Sequence, residues 1–149
     1  MKTSEKGITL IKSFEGLRLT AYKPVKTEKY FTIGYGHCSA SIREGMTITQ
    51  KLAEQYLKED LQKFEQGING QHLKINQNQF DALVSFAFNV GLKNFAISTL
   101  LRKIKLGANN PAIRDEFMRW VYSGGNKLAG LERRRKAEAD LYFSKNTAL

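Results

Sequence analysis

Two short stretches of this chain concentrate side chains that can move protons. Phe14-Glu15-Gly16-Leu17-Arg18-Leu19, continued by Ala21-Tyr22-Lys23, sets a carboxyl group beside a glycine. Tyr30-Phe31-Thr32-Ile33-Gly34-Tyr35-Gly36-His37 adds a hydroxyl and an imidazole. A carboxyl group held at a helix end is suited to general-acid work, protonating a leaving group as its bond breaks. Read alone, Thr32 is also a good β-former, and His37 a histidine satisfied by its neighbours. Other chemistries lack their residues. There is no Gly-x-x-x-x-Gly-Lys phosphate loop and no Cys-x-x-Cys pair, and His37 and His72 are too isolated for metal-ligand spacing. No serine stands in a nucleophile-elbow context. Neither a metal nor another cofactor is expected.

The elements that must hold these residues are legible from periodicity and punctuation. Ser4 to Phe14 reads as a helix capped by Ser4, with Ile8, Ile11 and Phe14 on one face and Gly16 as its stop, so Glu15 falls at its C-terminus. From Leu17 to Gly36 the β-branched and aromatic residues predict a small antiparallel sheet or hairpin, with Pro24 to Lys29 as its loop. Thr49 caps a helix of close to twenty residues carrying Ala53, Tyr56, Leu57, Leu61, Phe64 and Ile68 at offsets of three and four. Its length of about 30 Å is enough to bridge two lobes. Asn76 and Gln79 form a capping box for an apolar helix, Phe80 to Val90, closed by Gly91. Ser98 to Leu106 is a further helix. Pro111 opens another that carries Ile113, Phe117, Trp120 and Val121, and Leu131 to Phe143 forms the last. Phe80, Phe86, Phe88 and Trp120 are expected in the core. Arg133 to Arg135 is either a solvated helix face or, in part, the lining of a groove.

Composition bounds the partners. The chain has 149 residues, with 24 basic against 14 acidic ones, for a formal charge of +10. That balance favours an anionic partner without choosing among nucleic acid, lipid headgroups and acidic wall polymer. No helix-turn-helix or other nucleic-acid signature supports a DNA or RNA binder. A lone Cys38 cannot close an intrachain disulfide. The start of the chain does not read as a secretory leader, and no stretch approaches the roughly 20 apolar residues of a membrane span, so neither stable membrane insertion nor export by a leader is expected.

Three ordered blocks carry a resemblance to a known family. Glu15-Gly16-Leu17-Arg18-Leu19 with Tyr22-Lys23 and Thr32-Ile33-Gly34-Tyr35-Gly36-His37 is the first. Gln79-Phe80-Asp81-Ala82-Leu83-Val84-Ser85-Phe86-Ala87-Phe88-Asn89-Val90-Gly91 is the second, and Trp120 with Gly130-Leu131, Arg133-Arg134-Arg135 and Glu138 is the third. Together they resemble the bacteriophage-type lysozymes, or endolysins, of glycoside hydrolase family 24 over nearly the whole chain.

The resemblance implies a single α+β, lysozyme-like catalytic domain over residues 1–149. Its small sheet lobe, about 13–60, is joined by the long helix to an all-helical lobe, about 70–149 plus the N-terminal helix. It further implies hydrolysis of the β-1,4 bond between N-acetylmuramic acid and N-acetylglucosamine in peptidoglycan. Glu15 matches the family's acid, Thr32 the threonine that positions the attacking water, and His37 a supporting histidine, with Arg18 and Tyr22 beside the substrate. The family's aspartate is missing, because Pro24 follows Tyr22-Lys23. Glu28, the only carboxylate of the longer loop, is either its replacement or a solvated turn residue. A lytic transglycosylase, which needs only one essential glutamate, stays open as the alternative. The resemblance also implies a monomer that accumulates in the host cytoplasm and reaches the wall or periplasm through a holin-like partner.

Overall fold

A computed structural model describes residues 1–145. The chain divides into two compact units, Ile8–Lys63 and Met1–Gly7 together with Phe64–Leu149. The boundaries fall inside two helices, α1 (Glu5–Glu15) and α2 (Gln50–Asn69). Most of α1 therefore goes with the first unit, and not with the helical lobe as the family resemblance implies. The reason lies in its second half: Lys12 is bonded to Glu54 of α2, and Ile11 is fully buried.

The first unit holds a three-stranded antiparallel sheet in the order β1 (Arg18–Tyr22), β2 (Thr32–Gly34), β3 (His37–Cys38). Pairing aligns Tyr22 with Thr32, Thr32 with Cys38 and Ile33 with His37, and the register between Arg18 and Tyr22 is irregular. Strand β2 begins at Thr32, so Tyr30 and Phe31 remain in the loop that the sequence placed between Pro24 and Lys29. The first turn of α2 is capped as expected, Leu52 N–H donating to Thr49 Oγ1 at 3.1 Å. Ile33, Ile42, Ala53, Leu57 and Leu61 form the buried interior. Gly34 is in the left-handed region at φ 68°, and a β-carbon there would stand 3.2 Å from that of Ala53, so the strand passes α2 at close range.

The second unit is helical. Asn76 and Gln79 make the full reciprocal capping box at the start of α3 (Gln77–Val90), which is buried from Asn78 to Ala87. Then follow α4 (Leu92–Ile97), α5 (Thr99–Leu106) capped by Ser98, α6 (Ile113–Phe117), a hairpin of β4 (Tyr122–Ser123) and β5 (Asn126–Lys127), and α7 (Ala129–Tyr142). Phe86 is the hub, edge-on to Phe95, Phe117 and Trp120.

Three sequence expectations are corrected. Leu92–Ile97, where the sequence pattern predicts no element, is a helix. The helix opened near Pro111 stops at Phe117 instead of running through Val121. Gly124 and Gly125, both at positive φ, make a two-residue reversal, and Leu128 N–H donates to Val121 O across it. Finally, Arg134 and Arg135 are neither solvated nor groove-lining. They are 4% and 0% exposed because α7 lies along α3, and they face Glu138, itself fully buried. Burial pushes the Glu138 carboxyl up, opposed by the charges of Arg135 and Arg134. Removing one member of such a buried set costs about 3–5 kcal/mol, since the other is stranded.

Candidate active site

All six residues singled out from the sequence lie in the first unit, Ile8–Lys63. Glu15 is the last residue of α1. The helix stops there because Gly16 takes φ 70°, a conformation any side chain would strain, while its N–H still donates to Lys12 O at 3.2 Å. One turn back, Lys12 Nζ bonds Glu54 Oε1 at 2.5 Å and lies 5.4 Å from the centre of the Tyr35 ring. This anchors the C-terminal turn of α1 to α2 and to the segment after β2. The Lys12 ammonium is raised above its ordinary value, first by its hydrogen bond to Glu54, and Glu54 is lowered by the same bond.

The half-buried carboxyl of Glu15 is then approached by backbone. Gly36 adopts φ 83°, and a β-carbon built on it would sit 3.3 Å from Glu15 Oε2. Glycine satisfies both the turn and the close approach. Two residues before Gly36 ends β2, whose first residue is Thr32. Thr32 is only 7% exposed, yet its hydroxyl makes no hydrogen bond among the described residues.

His37 is a brace. Its Nδ1 lies 2.8 and 3.1 Å from the two carboxylate oxygens of Asp60, and its ring stacks on Tyr56 at 4.4 Å between centroids. A carboxylate only accepts, so Nδ1 carries the proton and donates it. These contacts tie β3 to α2. Sequence reasoning missed Asp60 and Tyr56, although their spacing of four residues puts them on one face of a helix, a readable signal. Arg18 lies over the Tyr22 ring at 4.2 Å, and the ladder sets Tyr22 opposite Thr32.

Glu28 is joined to this set only through its loop. It is exposed, its N–H donates to Val25 O at 3.1 Å, and its carboxylate makes no hydrogen bond or ion pair among the described residues. Lys23 and Lys29 in the same loop lie over the Phe31 and Tyr30 rings. The arrangement therefore offers one carboxyl group fixed by a helix end and a turn, one unengaged hydroxyl on a neighbouring strand, and a second, freely placed carboxylate. Among the described residues, no group of three or more His, Cys, Asp or Glu could hold a metal ion.

Comparison with known proteins agrees with this architecture. The chain is 50% identical over 145 residues to the endolysin of Bacillus phage PZA, covering 97% of this chain and 56% of that protein. It thus spans about half the length of that relative. It is 42% identical over 149 residues to the endolysin of Acyrthosiphon pisum secondary endosymbiont phage 1, covering 97% of this chain and 99% of the relative. Among solved structures, the muramidase domain of SpmX from Asticcacaulis excentricus superposes with a TM-score of 0.87 at 38% identity, covering 97% of this chain and 99% of that one. The fold is thus the lysozyme-like α+β fold. The profile of the family described as phage lysozyme matches residues 12–138, which include Glu15, Thr32, His37 and the Arg133-Arg134-Arg135 run. The chain belongs to the phage lysozyme family.

Proposed function

We propose that this chain is a single catalytic domain that hydrolyses the β-1,4 bond between N-acetylmuramic acid and N-acetylglucosamine in peptidoglycan, and so lyses bacteria. The observation that carries the reading is the placement of Glu15: a half-buried carboxyl at the end of a helix pinned by Lys12, alongside the backbone of Gly36. Glu15 protonates the departing glycosidic oxygen. Thr32, whose hydroxyl makes no hydrogen bond among the described residues, holds the attacking water. Glu28 stands in for the aspartate of the family pattern, orienting that water or stabilising positive charge on the sugar from its exposed loop. His37 supports the site through Asp60, and Arg18 with Tyr22 contacts the glycan. The endolysin and muramidase names of the relatives support this substrate.

Clearing of cell-wall suspensions by single variants tests the roles. Glu15→Gln is expected to lose about 10²–10⁴-fold in rate with its thermal midpoint retained, the range for removing a general acid. Glu28→Gln should lose a large part of the rate as well. If it clears walls like the parent while Glu15→Gln does not, Glu28 is a solvated turn residue and one carboxyl group suffices.

Release to the wall is assigned to a separate, holin-like partner, with the enzyme acting as a monomer once it leaves the host cytoplasm. Among the described residues no helix is long and apolar enough to cross a membrane. Cells expressing the chain alone should stay intact until their membrane is permeabilised; prompt lysis without permeabilisation would contradict this assignment.

A further inference from the structure

The second unit contains a pocket of about 320 Å³ whose lining includes Asn89, Asn94, Trp120, Tyr122 and Leu131. None of these has a part in the chemistry above. Asn89 follows the buried stretch of α3, and its Oδ1 accepts a hydrogen bond from Arg135 Nη2. A guanidinium can only donate, so the amide oxygen must face Arg135 and the NH2 group is turned away from it. That NH2 has no hydrogen-bond partner among the described residues. Asn94 is fixed in the opposite sense. Its Nδ2 donates one hydrogen to Val90 O at 2.7 Å, which fixes the sense of the amide, with Oδ1 as its one acceptor and a second N–H beside it.

Arg135 is unusual in its own right. It is 0% exposed, pairs with Glu138 at 3.3 Å, and lies 5.0 Å from the centre of the Phe86 ring. Its Nε and Nη1 have no hydrogen-bond partner, so among the described residues its hydrogen bonding is directed at Asn89 alone. Glu138 is held in turn by Ser85 Oγ at 2.5 Å and Arg134 Nε at 3.2 Å. A buried cation paired with Glu138 thus directs its hydrogen bond at a single pocket-lining amide.

The pocket therefore presents an oriented donor at Asn89 and an oriented acceptor at Asn94, beside the Trp120 indole and the exposed Tyr122 ring. A carboxylate would leave the Asn94 oxygen without a donor, and an ammonium would leave the Asn89 N–H without an acceptor. A planar group carrying both C=O and N–H satisfies both. We propose that this pocket binds a secondary amide of the wall substrate, and that Arg135 is a positioning residue which holds Asn89 as the donor. The choice of wall as the source rests on the function proposed above. Two kinds of secondary amide occur there: the acetamido groups of the sugars, and the peptide bonds of the stems attached to them.

Trp120 is the only tryptophan of the chain, so its fluorescence reports on this pocket directly. The Glu15→Gln protein is titrated with a short chitooligosaccharide, which carries acetamido groups only, and separately with an N-acetylated dipeptide amide. A saturable change with either probe is expected, and the responsive probe identifies the source. Asn89→Asp keeps an acceptor for Arg135, now as an ion pair, and removes the donor. It should weaken binding by about tenfold, the worth of one hydrogen bond, with the thermal midpoint equal or higher. Arg135→Lys should also weaken binding, by releasing the amide; if that buried variant fails to fold, Asn89→Asp still decides. Binding by Asn89→Asp equal to that of the parent, or no response of Trp120 to either probe, would overturn the proposal. These titrations need no turnover. Loss of the wall-hydrolysis reading would show as Glu15→Gln retaining activity, a separate result.

Discussion

Lys12 governs how firmly the proposed acid is held. Its ammonium is raised above 10.5 and the Glu54 carboxyl is lowered below 4.5, each chiefly by the hydrogen bond they share. Glu54, with its lowered value, contributes stability that is present above the unfolded carboxylate value and is lost as pH falls through the folded one. Lys12, with its raised value, contributes stability that is present below 10.5 and is lost as pH rises through its folded value. Thermal midpoints of the parent and Lys12→Met should therefore differ by a small constant amount from about pH 5 to pH 9, and converge in acid. A difference that survives at pH 2 would mean that Lys12 acts by packing alone. At this scale the candidates Glu15, Thr32 and His37 are legible because each stands within two residues of a glycine, Gly16, Gly34 or Gly36, whose positive φ the structure shows. The sequence conceals Asp60, because that carboxylate reaches His37 from a helix 23 residues away. It conceals the burial of Arg134 and Arg135 for a similar reason: a basic run looks solvated until the helix it packs against is known.

Among the elements, α3 has the clearest local code. Its apolar stretch, capping box and terminal glycine all point to one buried helix, and the helix runs from Gln77 to Val90 as that code requires. Asn76→Ala removes the cap that accepts from Gln79 N–H at 2.9 Å and should cost about 1 kcal/mol. Calorimetry would show this as a fall of about 2–4 °C in melting temperature. An unchanged midpoint would place the end of the helix under tertiary control. The opposite case is the stretch from Ile113 to Lys127. Trp120 and Val121 fit a helical face by spacing, yet the helix ends at Phe117 and a hairpin follows. There the competing signal was already present in Gly124-Gly125 next to residues that favour extended backbone, and turn chemistry outweighed periodicity over so short a run.

For the whole molecule, the lysozyme-like α+β fold and the family were legible because three motif blocks occur in order along nearly the full length. The division at Gly7 and Lys63 was not, since it cuts through two continuous helices and leaves no linker composition behind. The charge of +10 is a property at this same scale. Basic residues outnumber acidic ones in both units, a balance that fits the acidic wall of the proposed function. Lysis should slow as ionic strength rises from about 0.1 to 1 M and the Debye length falls from about 10 to 3 Å. A flat profile would limit the charge to a role in solubility. The central claim, that Glu15 drives hydrolysis of the glycan, is tested most directly by mass spectrometry of purified peptidoglycan after digestion. The parent should release fragments ending in reducing N-acetylmuramic acid, and Glu15→Gln should release none. Anhydromuramic ends from the parent, or reducing ends from Glu15→Gln at the parent's rate, would contradict it.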